Sequence, residues 1–236
     1  MDTIFPRLFT KTFFILTVQF MITWLSAHFT LSYFRSLYRQ KMDWIRAKSN
    51  KQGYLDLQID QKKIQTPLSV LIAIYFATFF FLQFYAYEFL LLGLITFSIW
   101  SIQVGVIVAL CMLAVDENMG LRAVSLTIAI TILAAVIGIF SGIDFGFMGL
   151  GLFIALLLLI IWRITSIFFD MPRWKERIIS GIGGLIFTLY LMHDFNALQK
   201  AHGAGVNDWP SAIHISIRIY LDVINLLLEI LAAMSD

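Results

Sequence analysis

Residues 89–114 read FLLLGLITFSIWSIQVGVIVALCMLA, a run in which no side chain is charged. A bilayer core about 30 Å thick takes about 20 apolar residues in one helix, so this run is long enough to cross a membrane. Further runs of the same character fall at residues 8–33, 67–87, 121–142, 147–169, 177–200 and 209–233. The sequence therefore predicts an all-α, polytopic membrane protein in which residues 1–236 form one domain of seven transmembrane helices.

The composition of the whole chain supports this class. Hydrophobic residues make up 60% of the 236 positions and charged residues 14%, whereas soluble proteins carry about 45–50% and about 25%. Seven spans leave no room for a catalytic domain outside the membrane. The net charge of +2 lacks the basic excess that a nucleic-acid partner requires, so we expect the lipid bilayer and no nucleic acid.

The distribution of Lys and Arg predicts the orientation of the spans. Segments 34–66, 115–120 and 170–176 would share one face with the C-terminus, and they carry ten basic residues against three, Arg7, Lys11 and Lys200, on the other face. The C-terminus is therefore predicted to be cytoplasmic. The pattern does not distinguish a bacterial inner membrane from a eukaryotic endomembrane.

Segment 34–66 is predicted to be a basic cytoplasmic loop. Its basic residues either contact anionic lipid or a partner protein, or they only fix the orientation of the chain, which by itself explains their excess. The residues predicted for such a contact are Arg35, Arg39, Lys41, Arg46, Lys48 and Lys51.

Ionisable residues inside the spans are the candidates for function, because each costs roughly 2.5–3.5 kcal/mol at the centre of a bilayer. Asp194 in the sixth span and Asp222 in the seventh lie roughly 12–20 Å from the short turn that joins these spans. Antiparallel neighbours joined by a short turn usually touch, so the two carboxyl groups are expected to meet. Arg163 and Glu229 lie nearer to span ends, and Arg163 is expected to reach the membrane surface.

Two carboxylates in contact in a low dielectric cannot both ionise cheaply, so the pair is expected to share a proton. Without that proton they would repel one another and offer oxygen ligands to a hard cation such as Ca²⁺. Asp194 and Asp222 are therefore predicted to be a pH sensor and gate and transient Ca²⁺ ligands, although polar residues that only join helices would give the same pattern. Possible partners of the pair are Arg218, His193, Asn196 and Asn225. Arg218 precedes Asp222 by four residues, so it is expected on the same helix face.

Several stretches resemble the Bax inhibitor-1 (transmembrane Bax inhibitor motif) family. YLDVINL at residues 220–226 resembles its last-helix signature, and Asp194 at the end of FTLYLMHD (187–194) matches its sixth-helix aspartate. DFGFMG at residues 144–149 is similar to its turn before the fifth helix, and RLFTK at 7–11 with Gln19 resembles its first helix.

The resemblance implies a seven-helix fold with a central last helix, and a proton-sensitive Ca²⁺ leak with the paired aspartates as its sensor. In eukaryotic members it also implies suppression of cell death. The chain departs from the family in three places. The second span has no internal arginine. Residues 100–103 read WSIQ, where many members of the family carry a glycine-rich, sometimes acidic stretch. The first loop is longer and more basic than in the family. Arg218 could replace the missing basic partner.

The favoured function is thus a pH-sensitive calcium leak channel, with Ca²⁺ and protons as its ligands. One alternative is a non-conducting membrane regulator or scaffold that modulates cell death or stress by binding other membrane proteins. A proton-coupled transporter is a weaker alternative, because no inverted repeat or broken helix is visible. No nucleophile and base occur in a recognisable set, so no enzyme activity is expected. No His or Cys cluster has metal-ligand spacing, so no cofactor is predicted.

Overall fold

A computed structural model describes residues 7–42, 44–49, 55–59, 61–85, 90–113, 115, 117–169 and 172–234. The described residues form seven long helices and one small hairpin. The helices are α1 (Leu8–Arg39), α2 (Gln61–Tyr85), α3 (Leu90–Leu113), α4 (Glu117–Phe140), α5 (Gly149–Phe168), α6 (Arg173–Gly203) and α7 (Trp209–Met234). The hairpin consists of β1 (Ile45–Ser49) and β2 (Leu55–Ile59), and a 3₁₀ turn (Phe145–Met148) precedes α5.

Six of these helices, α1 to α6, are long and apolar enough to cross a membrane. α7 is not among these six helices, although it is 26 residues long; it carries Arg218, Asp222 and Glu229. Each predicted span overlaps one helix. Crossing by all seven helices, and the side on which the C-terminus lies, stay predictions.

α7 is the central helix of the bundle. It contacts α1, α3, α4 and α6, and its contact with α6 is the most extensive in the protein. An ionisable side chain on such a helix faces other protein segments rather than lipid, which is the arrangement that membrane proteins tolerate. The enclosure of α7 therefore explains why this helix can carry three charged residues.

Local backbone signals bring α6 and α7 together as antiparallel neighbours. α6 ends at Gly203, and Gly205 follows in the left-handed conformation (φ 80°), which glycine adopts at little cost. Asp208 then caps α7, because its carboxylate accepts a hydrogen bond from the Ser211 amide at 2.7 Å. The connection is only a few residues long, so the end of α6 and the start of α7 lie at the same level at this end of the bundle.

The bundle is helical as predicted, and the segment between the first two spans departs from the predicted loop. α1 continues to Arg39, and β1 and β2 pair in antiparallel fashion with Ile45 opposite Ile59. Ile45 is buried against Phe34 and Leu37 of α1. The strand sequence LDLQI at residues 55–59 alternates apolar and polar positions, which is the pattern of a strand with one buried face.

The residues predicted to contact lipid or a partner fall in different places. Arg35 and Arg39 are exposed at the end of α1, and Lys41 follows them with φ 56°. Arg46 and Lys48 belong to β1, while Lys51 lies outside the described residues.

The sequence WSIQ at residues 100–103, which differs from the Bax inhibitor-1 pattern, has a structural role in α3. The Ser101 hydroxyl donates to Gln19 Oε1 on α1 at 2.9 Å, and Gln103 Oε1 accepts a hydrogen bond from Thr78 on α2 at 2.9 Å. Trp100 is buried against Tyr220 of α7. Hydrogen bonds and close packing of this kind hold helices together where no hydrophobic driving force acts between them.

Candidate functional site

Asp194 and Asp222 meet at the interface between α6 and α7. Both are buried, with 2% and 8% of their surface exposed. Their carboxyl groups are close enough to interact electrostatically. At a rise of about 1.5 Å per residue, Asp194 lies about 14 Å from the α6–α7 turn and Asp222 about 20 Å from it. The structure thus brings together the two residues that the sequence singled out.

The spacing of Arg218 on α7 had suggested Asp222 as its partner, but Arg218 pairs with Asp194 instead. Its Nε donates to Asp194 Oδ2 at 3.0 Å, and its Nη2 donates to the other oxygen of the same carboxylate. Arg218 lies nine residues after the start of α7, and Asp194 lies nine residues before the end of α6. The two side chains are therefore at the same depth in the bundle, whereas Asp222 is one turn deeper.

Two histidines and a tyrosine surround these groups. His193 Nδ1 lies 3.0 Å from Asp194 Oδ1 and 3.3 Å from Arg218 Nη2. Tyr190 of α6 and His214 of α7 are near enough to interact electrostatically with Asp194 and Arg218. The aspartate cluster, as used below, consists of Tyr190, His193, Asp194, His214, Arg218 and Asp222.

The charges within the aspartate cluster are unequally matched. Arg218 engages both oxygens of Asp194, which leaves that pair without net charge. Asp222 Oδ2 is buried and has no hydrogen-bond partner among the described residues. A buried carboxylate without a partner is costly, so Asp222 is the group in this cluster that would take up a proton or a cation.

Asn196 was predicted to assist the aspartates but has another role. Its side-chain amide donates to the carbonyl oxygens of Gly138 at 3.1 Å and Ile143 at 2.9 Å, and its Oδ1 accepts from the Phe145 amide at 3.2 Å. Two residues along a helix correspond to about 200°, so Asn196 faces away from Asp194 and towards the α4–α5 turn. For the fourth predicted partner, Asn225, the described residues offer no hydrogen bond.

The DFGFMG turn is tied to α6 at the same end of the bundle. Asp144 accepts hydrogen bonds from the Gly146 amide at 2.7 Å and from Lys200 Nζ. The Lys200 ammonium and the Gly146 amide together hold the pKa of Asp144 below its ordinary value. Lys200 follows Asp194 by six residues, so the turn and the aspartate cluster are attached to the same part of α6.

A second ion pair, in which Glu229 is buried and Arg163 is partly exposed, lies nearer to the other end of the bundle. Arg163 Nη2 of α5 donates to Glu229 Oε2 of α7 and to Ser180 Oγ of α6 at 2.8 Å. A Cβ on Gly183 would lie 2.6 Å from Glu229 Cδ, so a side chain at this position would displace the carboxylate from its present place. Arg163 was expected to reach the membrane surface; in the structure it pairs with Glu229, and 37% of its side chain is exposed. The sequence contained one indication of this pair: Arg163 and Glu229 each lie five residues before the end of their helices, so both are at a similar depth in the bundle.

The arrangement limits what Ca²⁺ binding could involve. Two carboxyl groups supply at most four oxygens, whereas Ca²⁺ takes six to eight. Arg218 also engages both oxygens of Asp194. No group of three or more His, Cys, Asp or Glu residues is placed to hold a metal ion within the described ranges. A Ca²⁺ ion at Asp194 and Asp222 would have to displace Arg218 and keep part of its water, as a transient ligand does.

The chain is similar to several eukaryotic and viral proteins. It is 32% identical to Protein LIFEGUARD 1 of Arabidopsis thaliana over 146 residues, which is 60% of each chain. It is 29% identical to Protein LIFEGUARD 4 of the same plant over 171 residues, 71% of this chain and 64% of that protein. The Golgi anti-apoptotic protein of Vaccinia virus (strain Lister) is 32% identical over 49% of this chain and 46% of its own length. The chain thus spans less than two thirds of these relatives.

The family profile described as "Inhibitor of apoptosis-promoting Bax1" matches residues 6–236, which is almost the whole chain. The motifs at residues 144–149, 187–194 and 220–226 lie within that match, and the central α7 carries the last of them. This protein is therefore an integral, multi-pass membrane protein that belongs to the Bax inhibitor-1 family.

Proposed function

We propose that this protein is a non-enzymatic, pH-sensitive Ca²⁺ leak channel in which Asp194 and Asp222 form the proton sensor. The observation that carries the proposal is the buried Asp222 carboxyl group beside an Arg218–Asp194 pair that is already neutral. One proton on Asp222 makes the three groups neutral together. Loss of that proton leaves one negative charge in the interior of the bundle.

The sign of the pH response follows from this charge count. With Asp222 protonated, its carboxyl group can donate a hydrogen bond to Asp194 and hold α6 against α7. With Asp222 ionised, the two carboxylates repel one another, Arg218 is drawn towards both, and the negative charge attracts a cation. Ca²⁺ flux is therefore expected to rise as the pH rises.

Other titratable groups face the same cluster. His193 and Tyr190 lie on α6 and His214 on α7, while Asp144 and Lys200 lie towards the α4–α5 turn. The histidines titrate near neutral pH in their unperturbed state. A test of the aspartates must therefore distinguish a response of Asp222 from a response of a histidine.

Liposomes that contain the purified full-length protein and a Ca²⁺ dye provide this test. We expect the wild-type flux to change between about pH 5 and 8 and the Asp222→Asn variant to lose the pH response, because asparagine does not titrate. Asp144→Asn is the matched control, since Asp144 is exposed in the turn. Arg218→Gln is expected to change the pH at which the flux responds, because it removes the cation beside Asp194. An unchanged pH profile in Asp222→Asn would contradict the proposal, and a profile lost in His193→Gln instead would assign the response to histidine.

The comparisons support a second candidate, regulation of cell death through other membrane proteins. The family description names inhibition of apoptosis-promoting Bax1, and one relative is named a Golgi anti-apoptotic protein. This function requires no Ca²⁺ flux. A wild-type protein that protects cells from death but leaves the liposome dye unchanged at every pH would favour it over the leak channel.

A further inference from the structure

A large apolar cavity lies on the side of α7 that faces away from α6 and from the aspartate cluster. Its volume is about 810 Å³, within the range of about 300–1,000 Å³ that ligand pockets occupy. Its walls come from α1, α3, α4 and α7, and neither α5 nor α6 contributes a described residue to them. We propose that this cavity binds the acyl chains of one phospholipid with an anionic headgroup.

The walls of the cavity have the chemistry of an acyl-chain site. Apolar side chains contribute most of the lining, among them Phe20, Val108, Val124, Ile224 and Leu227. The buried charges of the α6–α7 interface are absent from this lining. Contact between this apolar lining and a hydrocarbon chain carries no desolvation cost, whereas water in the same space would find few hydrogen-bond partners.

The cavity can be entered from the side, between α1 and α4. Trp24 of α1 is 65% exposed, and Leu121 and Ile128 of α4 are also exposed, yet all three line the cavity. A residue that faces both the cavity and the outside lies at its edge. Both α1 and α4 contact α7, which forms the inner wall of the cavity. In a bilayer this opening faces lipid, so an acyl chain reaches the cavity without crossing a polar layer.

The end of the cavity that lies near the loops is basic. Arg35 and Arg39 line it there, one turn apart on α1, and the end of α3 at Leu113 and the start of α4 at Gly120 lie at the same end. The described residues that line the cavity include no Asp or Glu. This charge repels Ca²⁺ and attracts phosphate, so the occupant that fits both ends is an anionic phospholipid rather than an ion.

Retention of phospholipid by the full-length protein tests this site. The protein is purified in detergent with a mixture of phosphatidylglycerol and phosphatidylcholine, washed on a column, and analysed for bound phospholipid by mass spectrometry. We expect about one phosphatidylglycerol to stay bound to each protein while phosphatidylcholine is removed. Arg35→Gln with Arg39→Gln is expected to weaken retention roughly 25-fold, because each basic residue near anionic lipid contributes about fivefold. Arg173→Gln with Lys175→Gln is the control for a general loss of positive charge, since neither residue lines the cavity.

A matched pair of substitutions on α4 tests the apolar part. Val124→Trp places a large side chain inside the cavity, whereas Val136→Trp places it on the exposed face of the same helix. We expect only Val124→Trp to lose the bound phosphatidylglycerol. Equal retention in the two variants, equal retention of the two lipids by the wild type, or a dimer that only Val124→Trp dissociates would overturn the proposal.

A second measurement does not depend on the folding of a cavity-filling variant. Trp24 lines the cavity, and its fluorescence is obtained as the difference between the wild type and Trp24→Phe. In nanodiscs, phosphatidylglycerol with brominated chains is expected to quench this signal at a roughly 25-fold lower mole fraction than brominated phosphatidylcholine. Identical quenching curves for the two lipids would contradict an anionic-lipid site.

Discussion

Replacement of Gly138 by alanine tests how closely α4 and α6 must approach behind the aspartate cluster. A Cβ at this position would lie 2.6 Å from the Met192 carbonyl oxygen, 2.9 Å from Phe195 Cβ and 3.2 Å from the Asn196 amide nitrogen. Two of these atoms belong to the α6 backbone and cannot rotate away. The helices must therefore separate by about 0.8 Å to restore an ordinary contact of 3.4 Å.

The energetic cost can be estimated from this displacement. Overpacking of a tightly packed core typically costs about 1–3 kcal/mol. For a chain of this length, 1 kcal/mol corresponds to about 2–4 °C in Tm, so the overpacking alone is expected to lower the Tm of Gly138→Ala by roughly 2–12 °C. The Gly138 carbonyl also accepts a hydrogen bond from Asn196 at 3.1 Å, so separation of the helices loosens the α4–α5 turn as well.

The chain offers both a reporter and a control for this experiment. Cys111 is the sole cysteine in the sequence and is half-buried, so a thiol-reactive dye can follow unfolding in detergent. Gly181→Ala is the control, because a Cβ at Gly181 of α6 meets no atom within 4 Å. Both substitutions gain up to about 1 kcal/mol of helix propensity. The difference between them therefore isolates the contact with α6, and a Tm of Gly138→Ala equal to that of Gly181→Ala would refute the close approach.

Three further predictions concern stability. Arg163→Met should lower Tm more than the double variant Arg163→Met/Glu229→Met does, because the single change leaves the buried Glu229 carboxylate unpaired. An unpaired buried charge typically costs about 3–5 kcal/mol, and the partial exposure of this pair reduces that cost. Asn196→Ala should lower Tm by an amount equivalent to about 1–3 kcal/mol, because buried groups of the α4–α5 turn lose their partner. The Ser211 amide holds the pKa of Asp208 below its ordinary value, so the stability that this cap adds is complete above about pH 3.9 and is lost as the pH falls through the lowered pKa. Asp208→Asn should therefore flatten the acid side of a Tm–pH curve. Asp208→Ala should lower the stability at neutral pH by about 0.5–2 kcal/mol.

The meeting of Asp194 and Asp222 could be predicted because only chain-local information was needed. A short turn between two apolar runs makes them antiparallel neighbours, and counting residues from the turn gives the depth of each carboxylate. The partner of Arg218 could not be obtained from spacing along α7 alone. Its pairing with Asp194 depends on the relative rotation of the two helices, and the equal distance of both residues from the turn was the available indication.

The Arg163–Glu229 pair shows a different limit of sequence reasoning. A long basic side chain near the end of a span usually reaches the surface, and nothing local in the sequence of α5 contradicts this. The pair forms because α6 carries glycine at position 183, which leaves space for the Glu229 carboxylate, and Ser180 one turn earlier, which adds a hydrogen bond. These contributions come from three helices, so the equal depth of Arg163 and Glu229 makes the pair possible, and the packing of the helices decides that it forms.

The positions of Asp222 and of the Arg163–Glu229 ion pair on α7 constrain any Ca²⁺ path along the α6–α7 interface. Asp222 and Glu229 are seven residues apart, so they lie on nearly the same face of α7 and about 10 Å apart along its axis. Leu226 is buried between them, and beyond it the Arg163 guanidinium would repel an approaching cation. In the proposed leak channel, loss of the proton from Asp222 would attract Ca²⁺ to the aspartate cluster but would not by itself carry the ion past the Arg163–Glu229 pair. If this interface is the path of the proposed leak, conduction would therefore require Arg163 of α5 to release Glu229 as well.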